Sequence, residues 1–254
     1  MKITTIIPVI NLWKEYTENC INSLARQILP EDCLLNLIII DNGSTDETKE
    51  RIEEKIRAGI SIQLIRNEEN LGVAKSWNLG IKKAFEEGAD YCFVINNDTI
   101  FEEKCIRELV ERMNKNNIVL ISPTNQPECN FGQNLLIDEI NGGDYSAFMI
   151  DKRLFESVGE FDEGFERAYF EDNDMEYRIK MAGLKSIKYP NALYHHFGSK
   201  TQNQVNGGIV NTEMFRKNRN YYICKWGNLG EEVYAYPFND IMKPIKWTQQ
   251  SIKK

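Results

Sequence analysis

Short apolar runs alternate with longer stretches in which apolar residues recur every three or four positions, and that alternation leaves few folds open to the chain. The short runs read as strands and the amphipathic stretches as helices covering a mostly parallel sheet. Ile3 to Val9 is the first strand. Thr17, Cys20, Ile21, Leu24 and Ile28 follow at helical spacing until Pro30 ends the segment. Leu35 to Ile40 is the second strand, and its last four residues are unbroken apolar, as expected where both faces are covered. Ser44 and Glu47 have the spacing of a capping box for a helix through Ile56, and Ile60 to Ile65 forms the next strand. Val73, Trp77, Ile81, Ala84 and Phe85 share one helix face, closed by Gly88, and make Trp77 a core residue. Tyr91 to Ile95 is the fourth strand. Glu102 and Glu103 suit the positive start of a helix that turns Ile106, Leu109, Val110 and Met113 inward.

After a strand at Ile118 to Ser122 the rhythm changes. Residues 123 to 147 are loose in Pro, Asn, Gly and Asp, which predicts a long connection carrying an antiparallel strand or two. Met175, Ile179 and Ala182 then mark a helix stopped by Gly183, with Asp174 and Arg178 spaced as a structural ion pair. Ser186 to Tyr189 reads as a strand ending in a Pro190 turn. The 254 residues, 42% hydrophobic, suffice for one large α/β core with a small appendage. The expected division is a main domain over 1–210, with a nucleotide-binding half at 1–122 and an acceptor half at 123–210, and a helical extension over 211–254. Aromatic and cationic residues alternate in that extension, and packing over the acceptor cleft is the preferred reading of it over stacking on a substrate.

The polar residues gather where strands end. Asn11 lies just beyond Val9, Asp41 follows Ile40, and Asn96-Asn97-Asp98 follows Ile95. Parallel strands bring such ends to one rim, where α/β sheets bind ligands. Asp41 is placed to accept from a ribose hydroxyl or a base N–H, and Asp98 to hold a hard cation that bridges protein and phosphate. Asp41-Asn42-Gly43 and Asn97-Asp98 are equally the composition of plain turns. Glu171 and Asp172 fall at a helix start, where the dipole favours the charged carboxylate, as a base working at neutral pH needs; simple capping is the alternative. His195 and His196, the only two histidines, precede Gly198, Ser199 and Lys200, a segment suited to a diphosphate, with His195 the preferred ring.

Ile-Ile-Asp-Asn-Gly-Ser-Thr-Asp at 39–46, Asn-Leu-Gly-Val-Ala-Lys-Ser-Trp-Asn-Leu-Gly at 70–80 and Asn-Asn-Asp at 96–98 resemble, in that order, the signatures of family-2 glycosyltransferases with the GT-A fold. The likeness runs over roughly residues 3–205 and continues through Gly159-Glu-Phe-Asp-Glu-Gly-Phe165, Tyr169-Phe-Glu-Asp-Asn-Asp174 and His195-His-Phe-Gly-Ser-Lys-Thr201. It implies a mostly parallel central sheet flanked by helices, with a small antiparallel acceptor side and a helical tail. It further implies a metal-dependent, inverting transfer of sugar from a nucleotide-diphosphate sugar to an acceptor hydroxyl. On the pattern of the family, Asp172 is the base, beside Glu171. Asp98 is the metal-holding end of a D-x-D motif whose first position is Asn96 here, and His195 and His196 are candidates to approach the metal or diphosphate. Pro8, Asn11, Asp41, Asn70, Lys75, Asn97 and Lys200 fall on the nucleotide side, Lys75 standing where relatives often carry Arg. Gly142-Gly143-Asp144 matches the acceptor-side turn. The implied cofactor is Mn²⁺ or Mg²⁺, and the implied partners are a nucleotide-sugar donor and a glycan, lipid-linked or other hydroxyl acceptor.

Two other readings compete. A nucleotidyltransferase shares such a sheet and metal but usually carries a Gly-rich, basic loop after the first strand, and Pro8-Val-Ile-Asn-Leu-Trp13 offers none. A non-catalytic sugar- or nucleotide-binding module gives no reason for Asp172 at a helix start. A net charge of −7 weighs against a DNA acceptor, even one bearing modified bases. Six scattered cysteines without a C-x-x-C pair point to reduced thiols rather than zinc or a disulfide framework. With no apolar run near the ~20 residues of a membrane span and no signal-peptide pattern, the expected location is cytoplasmic, a peripheral seat on the inner face of the membrane being the alternative.

Overall fold

The computed structural model describes residues 1–113, 117–133, 135, 137–198 and 213–227. Their strands are β1 (Lys2–Val9), β2 (Leu34–Asp41), β3 (Ile62–Arg66), β4 (Tyr91–Ile95), β5 (Thr99–Phe101), β6 (Ile118–Asn125), β7 (Ile140–Asn141), β8 (Ala147–Asp151) and β9 (Lys185–His196). The helices are α1 (Glu18–Ala25), α2 (Thr48–Arg57), α3 (Val73–Glu86), α4 (Cys105–Met113), α5 (Lys152–Val158), α6 (Glu171–Met181) and α7 (Glu213–Trp226). All the strands join one sheet in the order β3-β2-β1-β4-β8-β6-β9-β5, with β7 also paired to β9. The first four in that order are parallel; β8 runs against both β4 and β6. One core lies between the sheet and α1, α2 and α4, and a second on the other face under α3, α5 and α6. In the second, Trp77 meets Phe148 and Phe161 edge-on at 5.2 and 5.0 Å, the core role its spacing predicted.

Chain order makes the site. From β1 the chain steps outward through β2 and β3, then returns to the opposite side of β1 as β4. Ligands of open α/β sheets lie outside the carboxyl ends of strands at such a reversal. Pairing of β1 with β4 stops at Ile6 and Val94, two residues before Pro8, which has no N–H to continue it. Beyond that point the two strands part, and Asn11 and Asn96 to Asp98 stand at the lips of the gap.

Several expectations are corrected. The connection after β6 carries the expected antiparallel strand as β7, but it also leads into β8, an unpredicted strand whose five residues are all buried, which inserts between β4 and β6 and runs straight into α5. Pro190 does not end a strand: β9 runs on to His196, and the register against β6 slips around residues 190–192, so the proline sits in a bulge. The capping box does not form, because the Ser44 hydroxyl accepts the Asn11 N–H at 2.8 Å and Asp46 Oδ1 accepts the Thr48 N–H at 3.0 Å instead. A π-helical turn, Trp13–Thr17, precedes α1.

Helix α3 approaches the sheet so closely that a Cβ on Gly80 would lie 2.4 Å from Ile6 Cγ2 and 3.1 Å from Ile40 Cδ1. Gly80→Ala is therefore expected to destabilise the fold by about 1–3 kcal/mol, an overpacking cost that outweighs the helix-propensity gain. In urea titrations the midpoint should fall with unchanged slope, and Gly80→Ala combined with Ile6→Ala, which removes both Cγ atoms at the contact, should cost less than the sum of the two single variants; additive losses in the double variant would refute the contact.

Candidate active site

The donor-side rim is built from strand ends locked to each other. Asn11 and Leu12 both take left-handed backbone, at φ of 55° and 62°, which turns the chain sharply out of β1 into the π-helical turn. The Asn11 side chain accepts the N–H groups of Thr45 and Asp46 at 2.8 and 3.2 Å, so it fastens the loop after β2. Asp41 is wholly buried. Its Oδ1 accepts the Ser44 N–H at 2.8 Å and its Oδ2 is ion-paired to Arg66 at the end of β3, whose other nitrogen donates to the Ser44 carbonyl at 2.9 Å. Behind it, Asn42 joins Asn67 and Ser76, each at 2.9 Å. Pro8 lies within β1 and Asn70 caps its own turn, accepting the Gly72 N–H at 2.9 Å; Lys75 is exposed on the first turn of α3. Lys200 lies outside the described residues, as does the chain beyond Gly227.

Asp98 sits in the turn between β4 and β5, buried to 3% exposure. Because β5 pairs antiparallel with the end of β9, Thr99 faces His196 in register, and His196 Nε2 comes to 3.2 Å from Asp98 Oδ1. That nitrogen is buried and makes no hydrogen bond. The imidazole nitrogen and the carboxylate oxygen thus lie close enough for one cation to reach both. His195, the ring preferred from sequence, goes elsewhere, because alternation along β9 sends neighbouring side chains to opposite faces. Its Nδ1 lies 3.2 Å from the Gln126 carbonyl and its ring packs on Phe197. The Asn97 amide donates to Thr17 at 2.9 Å, tying this turn to the π-helical turn. Among the described residues no group of three or more His, Cys, Asp or Glu could hold a metal, so a cation here would take most of its ligands from a diphosphate and water, as Mg²⁺ and Mn²⁺ readily do.

The acceptor-side rim begins at α6. Three non-glycine residues before it, Arg167, Tyr169 and Phe170, have φ of 57°, 82° and 73°. Each such placement costs on the order of 1–3 kcal/mol and persists only where neighbours over-determine it. One neighbour is Gly72, itself at φ 84°, where a Cβ would fall 2.5 Å from Arg167 Cα; the Val73 N–H donates to the Arg167 carbonyl at 2.6 Å. The loop delivers Glu171 buried and Asp172 half-exposed. The helix start was expected to hold both carboxyls low, and it does not. Burial, reinforced by the charge of Asp172, pushes Glu171 well above the usual carboxylate range, and its Oε2 has no hydrogen-bond partner. Burial also raises Asp172, opposed by the Asn173 N–H at 2.8 Å and assisted by Asp144. A helix dipole is worth ~0.3–2 kcal/mol, whereas taking a carboxylate out of water costs several. For a base the upward shift is useful, since proton affinity rises towards the working pH.

The turn at 142–146 links the two rims. Its Gly143 N–H donates to Glu176, one turn along α6 from Asp172, and its Ser146 carbonyl accepts the Asn96 N–H at 2.8 Å. Asp174 and Arg178, both fully buried, form the expected ion pair at 2.9 Å, and α7 adds Trp226 and Lys225 to Asp174, each at 2.7 Å. Sequence reasoning passed over Arg66, Asn42, Ser76, Glu176 and Asn218. Only Arg66 left a readable trace there: a cation at the end of a strand whose parallel neighbour ends in Asp41.

A family model described as "Glycosyl transferase family 2" matches residues 4–170. "Glycosyltransferase GlyG" of Streptococcus pneumoniae serotype 4 is 24% identical over 94% of this chain and 80% of its own length. "dTDP-rhamnosyl transferase RfbF" of Shigella flexneri is 25% identical over 56% of this chain and 53% of its own. Among solved structures, GalNAc-T7 with UDP, GalNAc and Mn²⁺ superimposes with a TM-score of 0.65 at 16% identity, over 77% of this chain and 43% of that one. At that identity the likeness speaks to the GT-A fold. The chain spans about half of the rhamnosyl transferase and less than half of the GalNAc-T7 chain.

A carboxyl held above its unfolded value by burial makes folding lose stability as pH rises from the ordinary carboxylate range, near ~4.3 for Glu, towards the folded value. Glu171→Gln is therefore expected to raise the melting temperature at pH 8 and to leave it nearly unchanged at pH 4. An equal difference at both pH values would show that Glu171 is not held neutral.

Proposed function

The chain belongs to glycosyl transferase family 2 and is a glycosyltransferase, and from that premise we propose that it moves a sugar, with inversion, from a nucleotide-diphosphate donor to the hydroxyl of a glycan or lipid-linked acceptor. Asp172 is the base in this reading. The observation that carries it is the turn at 142–146, which bonds on one side to the backbone of the Asp98 turn and on the other to the helix that bears Asp172. Departure of a diphosphate and deprotonation of an acceptor are needed at once in an inverting transfer, and a turn bonded both to Asn96 and to α6 supports bringing Asp98 and Asp172 to one site.

Asp98 and His196 would hold the divalent ion, Mn²⁺ or Mg²⁺, and their fit rests on the unpartnered His196 nitrogen beside the Asp98 oxygen. Such an ion offsets the charge that grows on the leaving diphosphate. Asp41 and Arg66 form the floor of the nucleotide site and Asn11 fixes the loop beside it. Asp172 takes the acceptor proton, and burial, assisted by Asp144, raises its proton affinity. Glu171, buried and with its carboxyl pushed well above the usual carboxylate range, is not the base. A net charge of −7 disfavours a nucleic-acid acceptor. Among the described residues no helix is long and apolar enough to cross a membrane.

A thermal-shift panel of nucleoside diphosphates with and without Mn²⁺ tests the division of labour. Stabilisation should require both metal and nucleotide, vanish in Asp98→Ala, weaken in His196→Ala, and survive in His195→Ala and Asp172→Asn. Asp172→Asn should still cut turnover of the cognate nucleotide sugar by about 10²–10⁴. Stabilisation unaffected by Asp98→Ala, or a fully active Asp172→Asn, would overturn the assignment.

A further inference from the structure

Helix α7 comes from a part of the chain that carries none of the residues assigned above, yet it holds the strained loop in front of Asp172. Asn218, 1% exposed, points its whole side chain at that loop. Its Oδ1 accepts the Glu166 N–H at 2.9 Å, and its Nδ2 donates to the carbonyls of Glu166, Ala168 and Tyr169 at 2.8, 2.9 and 3.2 Å. These bonds bracket Arg167 and reach Tyr169, two of the three left-handed residues. A buried amide spent wholly on the backbone of one loop is a splint, because that loop's own groups have no strand or helix to satisfy them. Aromatic packing reinforces it: Phe215 of α7 meets Phe170 at 5.1 Å and Tyr169 at 5.6 Å.

The other side of the same loop rests on the donor half, through the Arg167 carbonyl and the close backbone approach at Gly72. Loop 166–170 is thus gripped between the start of α3 and α7, and it ends where Asp172 begins. We propose that Asn218 is a positioning residue for the transfer reaction: by holding this loop in its left-handed conformation it sets Asp172 against the donor site, so that α7 is part of the catalytic apparatus. This rests on Asp172 being the base. Asn218 touches no substrate in this account. It acts through the backbone, and its loss should lower kcat and spare donor affinity, since a displacement of about an ångström at a reacting group is worth roughly 10²-fold.

The test compares Asn218→Ala and the milder Asn218→Ser, which keeps one donor, with Asn220→Ala on the exposed face of α7 and Tyr222→Phe, whose buried hydroxyl has no hydrogen-bond partner. Hydrogen–deuterium exchange on the full chain should show the amides of 166–174 exchanging at least about tenfold faster in Asn218→Ala, less so in Asn218→Ser, and unchanged in both controls. With the nucleotide sugar that the wild type turns over fastest in Mn²⁺, kcat should fall roughly ten- to a hundredfold while the donor KM stays within about twofold. Unchanged exchange overturns the splint. Faster exchange with unchanged kcat, or kcat and donor affinity falling together, overturns the positioning role. If the wild type turns over no nucleotide sugar, the family-based substrate reading fails, whereas the exchange arm still decides whether Asn218 splints the loop.

Discussion

Everything at this site depends on where β1 and β4 stop pairing. Two parallel strands that remained bonded to their ends would bury the polar residues that follow them in a closed ladder. Here the ladder ends at Ile6 and Val94, Pro8 withholds the next donor, and the backbone turns left-handed at Asn11 and Leu12. The gap that results is lined by the carboxyl ends of both strands. Each further element then has to be anchored to one lip, and hydrogen bonds by side chains do this: Asn11 for the loop after β2, Asn97 for the π-helical turn, Glu176 for the turn at 142–146, Asn218 for the loop before α6. Amides recur because they donate and accept at once without a charge to desolvate.

The charged groups follow a different rule. Asp41 is covered by Arg66, and Asp174 by Arg178 and Lys225, so these buried carboxylates have counter-ions. Glu171 has none, and burial instead pushes its carboxyl well above the usual carboxylate range. Asp172 lies between the two: partly open to solvent, with a backbone N–H on one oxygen and a like charge nearby. A carboxylate with a strong cation beside it is a poor base, and one wholly buried stays protonated at neutral pH. Only the intermediate setting leaves a group that is both ionised and basic.

How much of this the sequence discloses varies with the range of the interaction. The parallel half was legible because hydrophobic period, helix stops and strand ends are local: β4 and the inward face of α4 fall where the spacing predicts. Strand β8 was missed because it runs from Asp151 straight into α5 at Lys152, with no turn residue to mark it off, and Pro190 misled because a bulge in a strand and a turn after it share a residue type. The roles of Arg66, Glu176 and Asn218 depend on partners 25, 33 and about 50 residues away. No pattern within a window can carry those. The helix-dipole argument for Glu171 and Asp172 failed for a related reason: the dipole is set by nearby sequence, but desolvation is set by everything that packs around the group.

Asn96 in place of an acid has a physical consequence for the metal. Its backbone is committed, the N–H to Ser146 and the carbonyl to the Thr99 hydroxyl at 2.6 Å, so the residue holds β4 to the turn at 142–146 and to the start of β5 whatever its side chain does. An acid at this position would add a second charge beside Asp98 and a further hard ligand for a divalent ion. With one carboxylate and one imidazole, the protein would offer a smaller set, and the remaining oxygens would come from a diphosphate and water. On the proposed metal reading, the ion and the nucleotide would each bind weakly without the other. Asn96 would thereby couple metal occupancy to donor occupancy, with Asp98 and His196 completed as a site only by a bound donor.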